Sequence, residues 1–216
     1  MYYLLKMRTT LYRVILCVTI LVPLYSASAH AAIEPYKKLL VVGDSLSAAY
    51  NLAEEQGWVA LLAKRLQERE SGYQAINASV GGATSAAALQ RLPSLLDLHK
   101  PALVILEMGA NDGLQGKPVS YISANLKHLI ELCLARGIRV VMVGIQLPPN
   151  YGKRYTAPFY NQYAQLAEKY QLPLVPFLLE GVAGNNALMQ ADRLHPTAEA
   201  QPIILETVWR ILEEEL

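Results

Sequence analysis

Leu39-Leu40-Val41-Val42-Gly43-Asp44-Ser45-Leu46-Ser47 is the stretch from which the fold can be read. Four apolar residues, two of them β-branched, stop abruptly at Gly-Asp-Ser. A run of this length and composition reads as a strand buried on both faces, the signature of a parallel sheet. Glycine permits a sharp turn at its end. A serine placed there stands at the carboxyl edge of the sheet, where open α/β folds hold their ligands. Alone, Gly-Asp-Ser is as good a turn or helix cap as it is a site, because all three residues favour turns. Its meaning depends on what the rest of the chain brings to the same edge.

Working outward, strands and helices alternate. Trp58, Leu61, Leu62 and Leu66 recur at helical spacing, so 57–70 is expected to be an amphipathic helix. A second strand covers 73–78, followed by Asn77-Ala78-Ser79-Val80-Gly81-Gly82. A second helix is predicted over 84–92, stopped by Pro93. The third strand, 102–106, exits into Glu107-Met108-Gly109-Ala110-Asn111-Asp112-Gly113. A third helix spans 119–136, with Gly137 as its C-cap, and a fourth strand spans 138–145. The fourth helix is read over 155–170, with Pro158 in its first turn. Leu174-Val175-Pro176-Phe177 makes a short edge strand. An irregular stretch, 178–191, leads to Asp192-Arg193-Leu194-His195-Pro196 and a last helix over about 197–213, with Ile204, Val208, Ile211 and Leu212 as its apolar stripe. Strict alternation implies right-handed crossovers and a three-layer α/β/α sandwich around a mainly parallel sheet of about five strands.

The chain has 216 residues, 53% of them hydrophobic, and a formal charge of +1. That length suits one domain with a full core. Near-neutrality excludes nucleic acid as the main partner, since phosphate binding needs a basic face. Residues 1–29 read as a cleavable secretory signal. Lys6, Arg8 and Arg13 precede the apolar run 14–24, and Ala27-Ser28-Ala29 is a small-x-small cleavage site. The apolar run is short for a membrane span. Cleavage leaves residues 30–216 as a single periplasmic or secreted domain. It also removes three basic residues and no acid, so the formal charge falls to −2. Cys133 is then the one remaining cysteine, which excludes an internal disulfide. Its spacing with Ile122, Leu126 and Leu129 puts it in a helix core rather than in a reactive site.

The chemistry-bearing residues share one pattern. Ser45 follows strand one, Gly82 strand two and Asn111 strand three, while Asp192 and His195 precede the last helix. Parallel strands end on the same edge, so these positions converge on one rim. A serine hydroxyl needs a base to take its proton and a carboxylate to orient that base. Asp192 and His195, three residues apart in a turn, suit those roles. A tetrahedral intermediate needs donors for its oxyanion, and the Ser45 and Gly82 amides and the Asn111 side chain are the candidates. The other histidines are poorly placed: His30 at the cleavage site, His99 before a strand's amino end, and His128 within a helix. Asp44 is a rival carboxylate but adjoins the serine and is expected to brace its turn. No ligand cluster for a metal is present in the pattern, and the scheme needs no cofactor.

Four blocks, Gly43-Asp44-Ser45-Leu46-Ser47, the glycine of Ser79-Val80-Gly81-Gly82, Gly109-Ala110-Asn111-Asp112 and Asp192-Arg193-Leu194-His195-Pro196, resemble in order and spacing those of the SGNH hydrolases, the GDSL esterase/lipase family. The stretch from Leu147 to Tyr155 is similar to the bacterial periplasmic thioesterase/lysophospholipase/arylesterase subgroup. The resemblance implies a flavodoxin-like SGNH fold, a Ser45–His195–Asp192 triad, an oxyanion hole of Ser45, Gly82 and Asn111, and no metal or other cofactor. It also implies small acyl esters, thioesters or lysolipids as substrates, and no stable protein partner. Ala83 stands where the family commonly has aspartate, which bears on substrate preference. Two alternatives remain open on the residues alone: a carbohydrate O-deacetylase of the cell envelope, and a non-catalytic envelope-binding module.

Overall fold

The computed structural model describes residues 36–216, so the expected signal segment, His30 and Cys17 lie outside the described residues. Five strands, β1 (Lys37–Val42), β2 (Tyr73–Asn77), β3 (Leu103–Leu106), β4 (Arg139–Val143) and β5 (Leu174–Val175), form one sheet in the order β2-β1-β3-β4-β5. Every neighbouring pair is parallel. The side chains alternate between two cores. Leu39, Val41, Leu103, Ile105, Val141 and Val143 face one helical layer, and Leu40, Val42, Val104, Leu106, Val140 and Met142 face the other. With both faces covered, the apolar runs carry no polar alternation.

Helices α1 (Trp58–Glu68) and α6 (Gln201–Leu212) bring Trp58, Leu62, Leu66, Ile204, Val208 and Leu212 to the first core. In α6, Leu205 and Trp209 are buried more fully than the expected Ile211. Helices α2 (Ser85–His99), α4 (Val119–Leu134) and α5 (Lys153–Tyr170) cover the opposite face. Cys133 lies in that second core, as its spacing predicts.

Two local expectations are corrected. Pro93 does not stop the second helix; α2 runs through it to His99. Proline leaves the Leu89 carbonyl without its helical donor. The buried stripe Ala88, Leu92 and Leu96 nevertheless continues at four-residue spacing, and burial of Leu96 against the sheet outweighs one lost hydrogen bond. Pro158 is the sixth residue of α5, not part of its first turn. The carbonyl it leaves free belongs to Arg154, an exposed residue. After β3, Asn111, Asp112 and Gly113 form the middle of a short helix, α3 (Ala110–Leu114).

One close approach fixes where the chain goes after β4. Gly144 donates from its amide to the Val175 carbonyl at 2.8 Å and accepts from the Leu178 amide at 3.0 Å. A Cβ at this position would lie 2.1 Å from the Pro176 carbonyl oxygen. Backbone cannot yield there without separating β4 from β5. Gly144→Ala is therefore expected to cost about 3 kcal/mol, read as a melting temperature lower by about 6–12 °C. Gly81→Ala, whose Cβ meets nothing within 4 Å, is the thermal control.

Candidate active site

Strand β1 is followed in sequence by β2 on one side of it and flanked by β3 on the other, so the loops after β1 and β3 diverge and open a crevice at the carboxyl edge. Ser45 sits in the turn after β1, and Asn111 lies in α3, just after β3. The serine turn is closed by hydrogen bonds from the Ser47 and Ala48 amides to the Asp44 carbonyl, at 3.3 and 3.0 Å. Asp44 Oδ1 accepts from the Leu46 amide at 3.0 Å. The expectation that Asp44 braces the turn thus matches its geometry.

The turn is also gripped from β3. Glu107 Oε2 accepts from the Asp44 amide at 3.1 Å and from the Ser47 hydroxyl at 2.8 Å. A Cβ on residue 43 would come within 2.6 Å of that same oxygen, so glycine is what lets the carboxyl reach the turn. Glu107, Asp44 and Asp112 are all buried. Burial pushes the Glu107 carboxyl well above the usual range, and the neighbouring Asp44 charge adds to this against the two hydrogen bonds. Burial likewise raises Asp44 to about 6, opposed by the Leu46 amide, the His195 charge and Asn111 and reinforced by Asp112. Asp112 accepts from the Ser85 amide and hydroxyl at 2.7 and 2.8 Å, tying α3 to the start of α2.

His195 bridges the remaining two groups. Its Nε2 lies 2.8 Å from Ser45 Oγ, and its Nδ1 lies 2.7 Å from Asp192 Oδ2. A carboxylate only accepts, so Nδ1 carries the proton and Nε2 is left to accept from the serine hydroxyl. Asp192 Oδ1 takes the amides of Leu194 and His195 at 2.9 and 3.0 Å, and Arg193, directly after Asp192, takes a left-handed conformation (φ 58°). Partial burial works to raise the Asp192 carboxyl. Hydrogen bonds from the His195 ring and from the His195 and Leu194 amides, with the imidazole's charge, prevail and hold it down to about 2. It is ionised at neutral pH.

Gly82 and Asn111 line the same crevice as Ser45. Among the described residues, neither the Ser45 nor the Gly82 amide donates to a protein acceptor. The Asn111 amide is already engaged: Nδ2 donates to the Ala83 carbonyl at 3.0 Å and to Asp44 Oδ2 at 3.2 Å. This one side chain ties the loops after β1, β2 and β3 together. His99 and His128 do not line the crevice. Cys133 is buried, and burial pushes its thiol up to about 12. Among the described residues, no group of three or more His, Cys, Asp and Glu side chains is placed to hold a metal ion.

The crevice opens into a groove of about 1040 Å³ with mostly apolar walls, among them Leu114, Ile145, Leu147, Pro148, Phe177 and Met189. Such an arrangement can hold an apolar acyl group beside a hydroxyl, a base and unpaired amide donors.

The family model described as "GDSL-like Lipase/Acylhydrolase family" matches residues 41–202. The chain belongs to this GDSL-like family. It is 51% identical over 175 residues to "Esterase TesA" of Pseudomonas aeruginosa, covering 81% of this chain and 87% of that one. It is 48% identical over 186 residues to "Arylesterase" of Vibrio mimicus, covering 86% and 93%. It is 38% identical over 175 residues to "Thioesterase 1/protease 1/lysophospholipase L1" of Escherichia coli strain K12, covering 81% and 83%. A crystal structure of TesA superposes with a TM-score of 0.81 at 50% identity, covering 83% of this chain and all of that one. The five-stranded parallel α/β fold and the GDSL family membership expected from the four blocks are therefore both observed.

Glu107 went unnoticed in the sequence of this GDSL-like chain, although a charged residue directly after Leu103-Val104-Ile105-Leu106 was its one visible signal. Its neutral form has a consequence for stability. The folded chain holds a proton on Glu107 to higher pH than the unfolded chain, which gives it up around the ordinary 4.5. Stability contributed by that proton is present at low pH and lost as pH rises. Glu107→Gln, which keeps an acceptor and removes the titration, should gain on the parent between pH 5 and 8 by up to about 1.4 kcal/mol per pH unit. Glu107→Ala removes the same titration but leaves the Asp44 amide and Ser47 hydroxyl unpaired, so it should cost about 2–5 kcal/mol at low pH, a cost that shrinks as pH rises. Urea unfolding across the pH range reads both.

Proposed function

We propose that this GDSL-like chain hydrolyses carboxylic esters and thioesters of apolar acyl groups, aryl esters and lysophospholipids included, through an acyl-enzyme on Ser45. The observation that carries the reading is His195 standing 2.8 Å from Ser45 Oγ and 2.7 Å from Asp192, at the mouth of a groove wide enough for an acyl chain. Ser45 Oγ attacks the acyl carbonyl while His195 Nε2 takes its proton, and Asp192 stabilises the imidazolium. The proton passes to the leaving alcohol or thiol. Water then adds to the acyl carbon, gives its proton to Nε2, and Oγ leaves with that proton as the carboxylic acid departs. The Ser45 and Gly82 amides meet the oxyanion, and Asn111 joins them by sharing an amide hydrogen now held by Asp44 or Ala83. The printed names of the relatives, esterase, arylesterase, thioesterase and lysophospholipase, support the substrate range.

We further propose that residues 1–29 are removed on export and that the mature chain, 30–216, works in the periplasm or outside the cell. Among the described residues, no helix is long and apolar enough to cross a membrane. An intact mass corresponding to a start close to His30 is the check, and a full-length chain in the membrane fraction would refute it.

The catalytic reading is tested on p-nitrophenyl acyl esters of graded length, with acetylated glycans as the rival substrate. Ser45→Ala and His195→Ala should each lower kcat by about a thousand-fold or more, and the double variant should be little worse than either. A fluorophosphonate should label Ser45 stoichiometrically. Asn111→Ala should lower kcat about a hundred- to a thousand-fold with KM little changed. Turnover by folded Ser45→Ala near the parent rate would refute the mechanism.

A further inference from the structure

The two hydrogen bonds to His195 lie in the plane of its ring. They fix the line from Nδ1 to Nε2, but a ring held only along that line is free to rock about it. During the second half-reaction even one of these bonds is lost. Ser45 Oγ is then an ester oxygen, which has no proton to give and is a weak acceptor. The imidazole is left with Asp192 alone, on a turn open to solvent.

The structure places an aromatic face where that freedom would be spent. The Tyr50 ring lies over His195 with centroids 4.2 Å apart and planes 31° from parallel. Tyr50 is itself 45% exposed, so its burial in a core does not explain its position. The backbone around it is costly: Ala49 and Asn51, on either side, both take left-handed conformations at φ 55°. Non-glycine residues are held there only where surrounding structure demands it. The demand comes from Gln190. Its Nε2 donates to the Tyr50 carbonyl at 3.0 Å and to the Pro196 carbonyl at 2.9 Å, and its own amide donates to the His195 carbonyl at 2.7 Å. Asn51 Nδ2 reaches Gln190 Oε1 at 3.4 Å. One glutamine thus fastens the segment carrying Tyr50 to the segment carrying His195.

We infer that Tyr50 is a positioning residue that keeps the His195 imidazole aimed at the acyl carbon during deacylation, when Ser45 no longer helps to hold it. The inference rests on the acyl-enzyme mechanism proposed above. The face of the ring does this work, by stacking on neutral imidazole and by attracting the imidazolium that forms as water loses its proton to Nε2. The Tyr50 hydroxyl is not needed. The water's hydroxyl bonds to the acyl carbon, Oγ departs from it, and the proton on Nε2 returns to Oγ, so the base must be in line twice within one step.

The test compares Tyr50→Leu and Tyr50→Phe with the parent enzyme on p-nitrophenyl butyrate, by stopped flow and by intact mass. In Tyr50→Leu the nitrophenolate burst should keep nearly the parent rate, while kcat falls about five- to thirty-fold and KM falls with it. The acyl-enzyme should accumulate in the mass spectrum. Tyr50→Phe should retain the parent's kcat, and the upfield ring-current shift of the His195 ring protons should persist in it and vanish in Tyr50→Leu. A rise in KM with kcat unchanged would make Tyr50 only a wall of the groove and overturn the inference, as would parent-like kinetics in Tyr50→Leu or an equal loss in Tyr50→Phe. Absence of any acyl-enzyme, in the parent as well as the variants, would instead refute the Ser45 mechanism itself. Melting curves of all three proteins confirm that folded enzyme is being compared.

Discussion

Parallel hydrogen bonding of β1 to β2 on one side and β3 on the other is the constraint from which the site follows. Parallel strands must all end on the same edge, and the middle one of three ends between the loops of its neighbours. Ser45 therefore has Gly82 and Asn111 beside it without any sequence-local cause. A buried sheet also leaves those loops one place to go, outward at the rim, where Asp192 and His195 meet them from the start of the last helix. Register is as important as topology. Val42 pairs with Leu106, which makes Asp44 and Glu107 neighbours across the strand gap.

Holding a serine turn by acids rather than cations has a physical logic. A tight turn offers mostly N–H and O–H donors, and a carboxyl supplies the acceptors they lack. Burial favours the protonated form of Glu107, so the interior beneath Ser45 gains acceptors with less negative charge. Two ionised acids there would disfavour an oxyanion of the kind proposed above. Asp192 is treated in the opposite way. It stands near the surface, takes three hydrogen bonds and is held down to about 2, as the proposed mechanism requires. Three acids within one site thus occupy distinct protonation regimes, set by depth and by partner.

The sequence was most legible where a pattern repeats locally. Apolar runs marked β1, β3, β4 and β5, whereas β2 is the mixed Tyr-Gln-Ala-Ile-Asn, and residues at strand ends converged because parallel topology forces them to. Legibility failed where a distant partner decided the outcome. Pro93 was read as a stop because its effect on helix hydrogen bonding is local, whereas the burial of Leu96 that overrides it depends on the sheet. Glu107 could as well have been a solvated turn residue, since Ser47 and Asp44, which it holds, belong to another strand's loop. Tyr50 gave no signal at all: its neighbours in sequence are unremarkable, and its stacking on His195 exists only once two far-separated segments are fastened by Gln190. Asn111 was identified by position, but its present partners, Ala83 and Asp44, were not foreseeable from spacing.

The burial of Cys133 has a practical side. Its side chain is buried in the second core, on the same side of α4 as Ile122, Leu126 and Leu129, and burial pushes its thiol up to about 12. It is the sole cysteine among the described residues. Thiol-directed dyes and spin labels, which need an accessible thiolate, pass it by in the folded state. The domain over residues 36–216 is thereby a ready background for single-site attachment. Among those residues a cysteine introduced on the groove's rim would carry the one reactive thiol, and a reporter on it would watch acyl chains enter and leave without any need to delete Cys133 first.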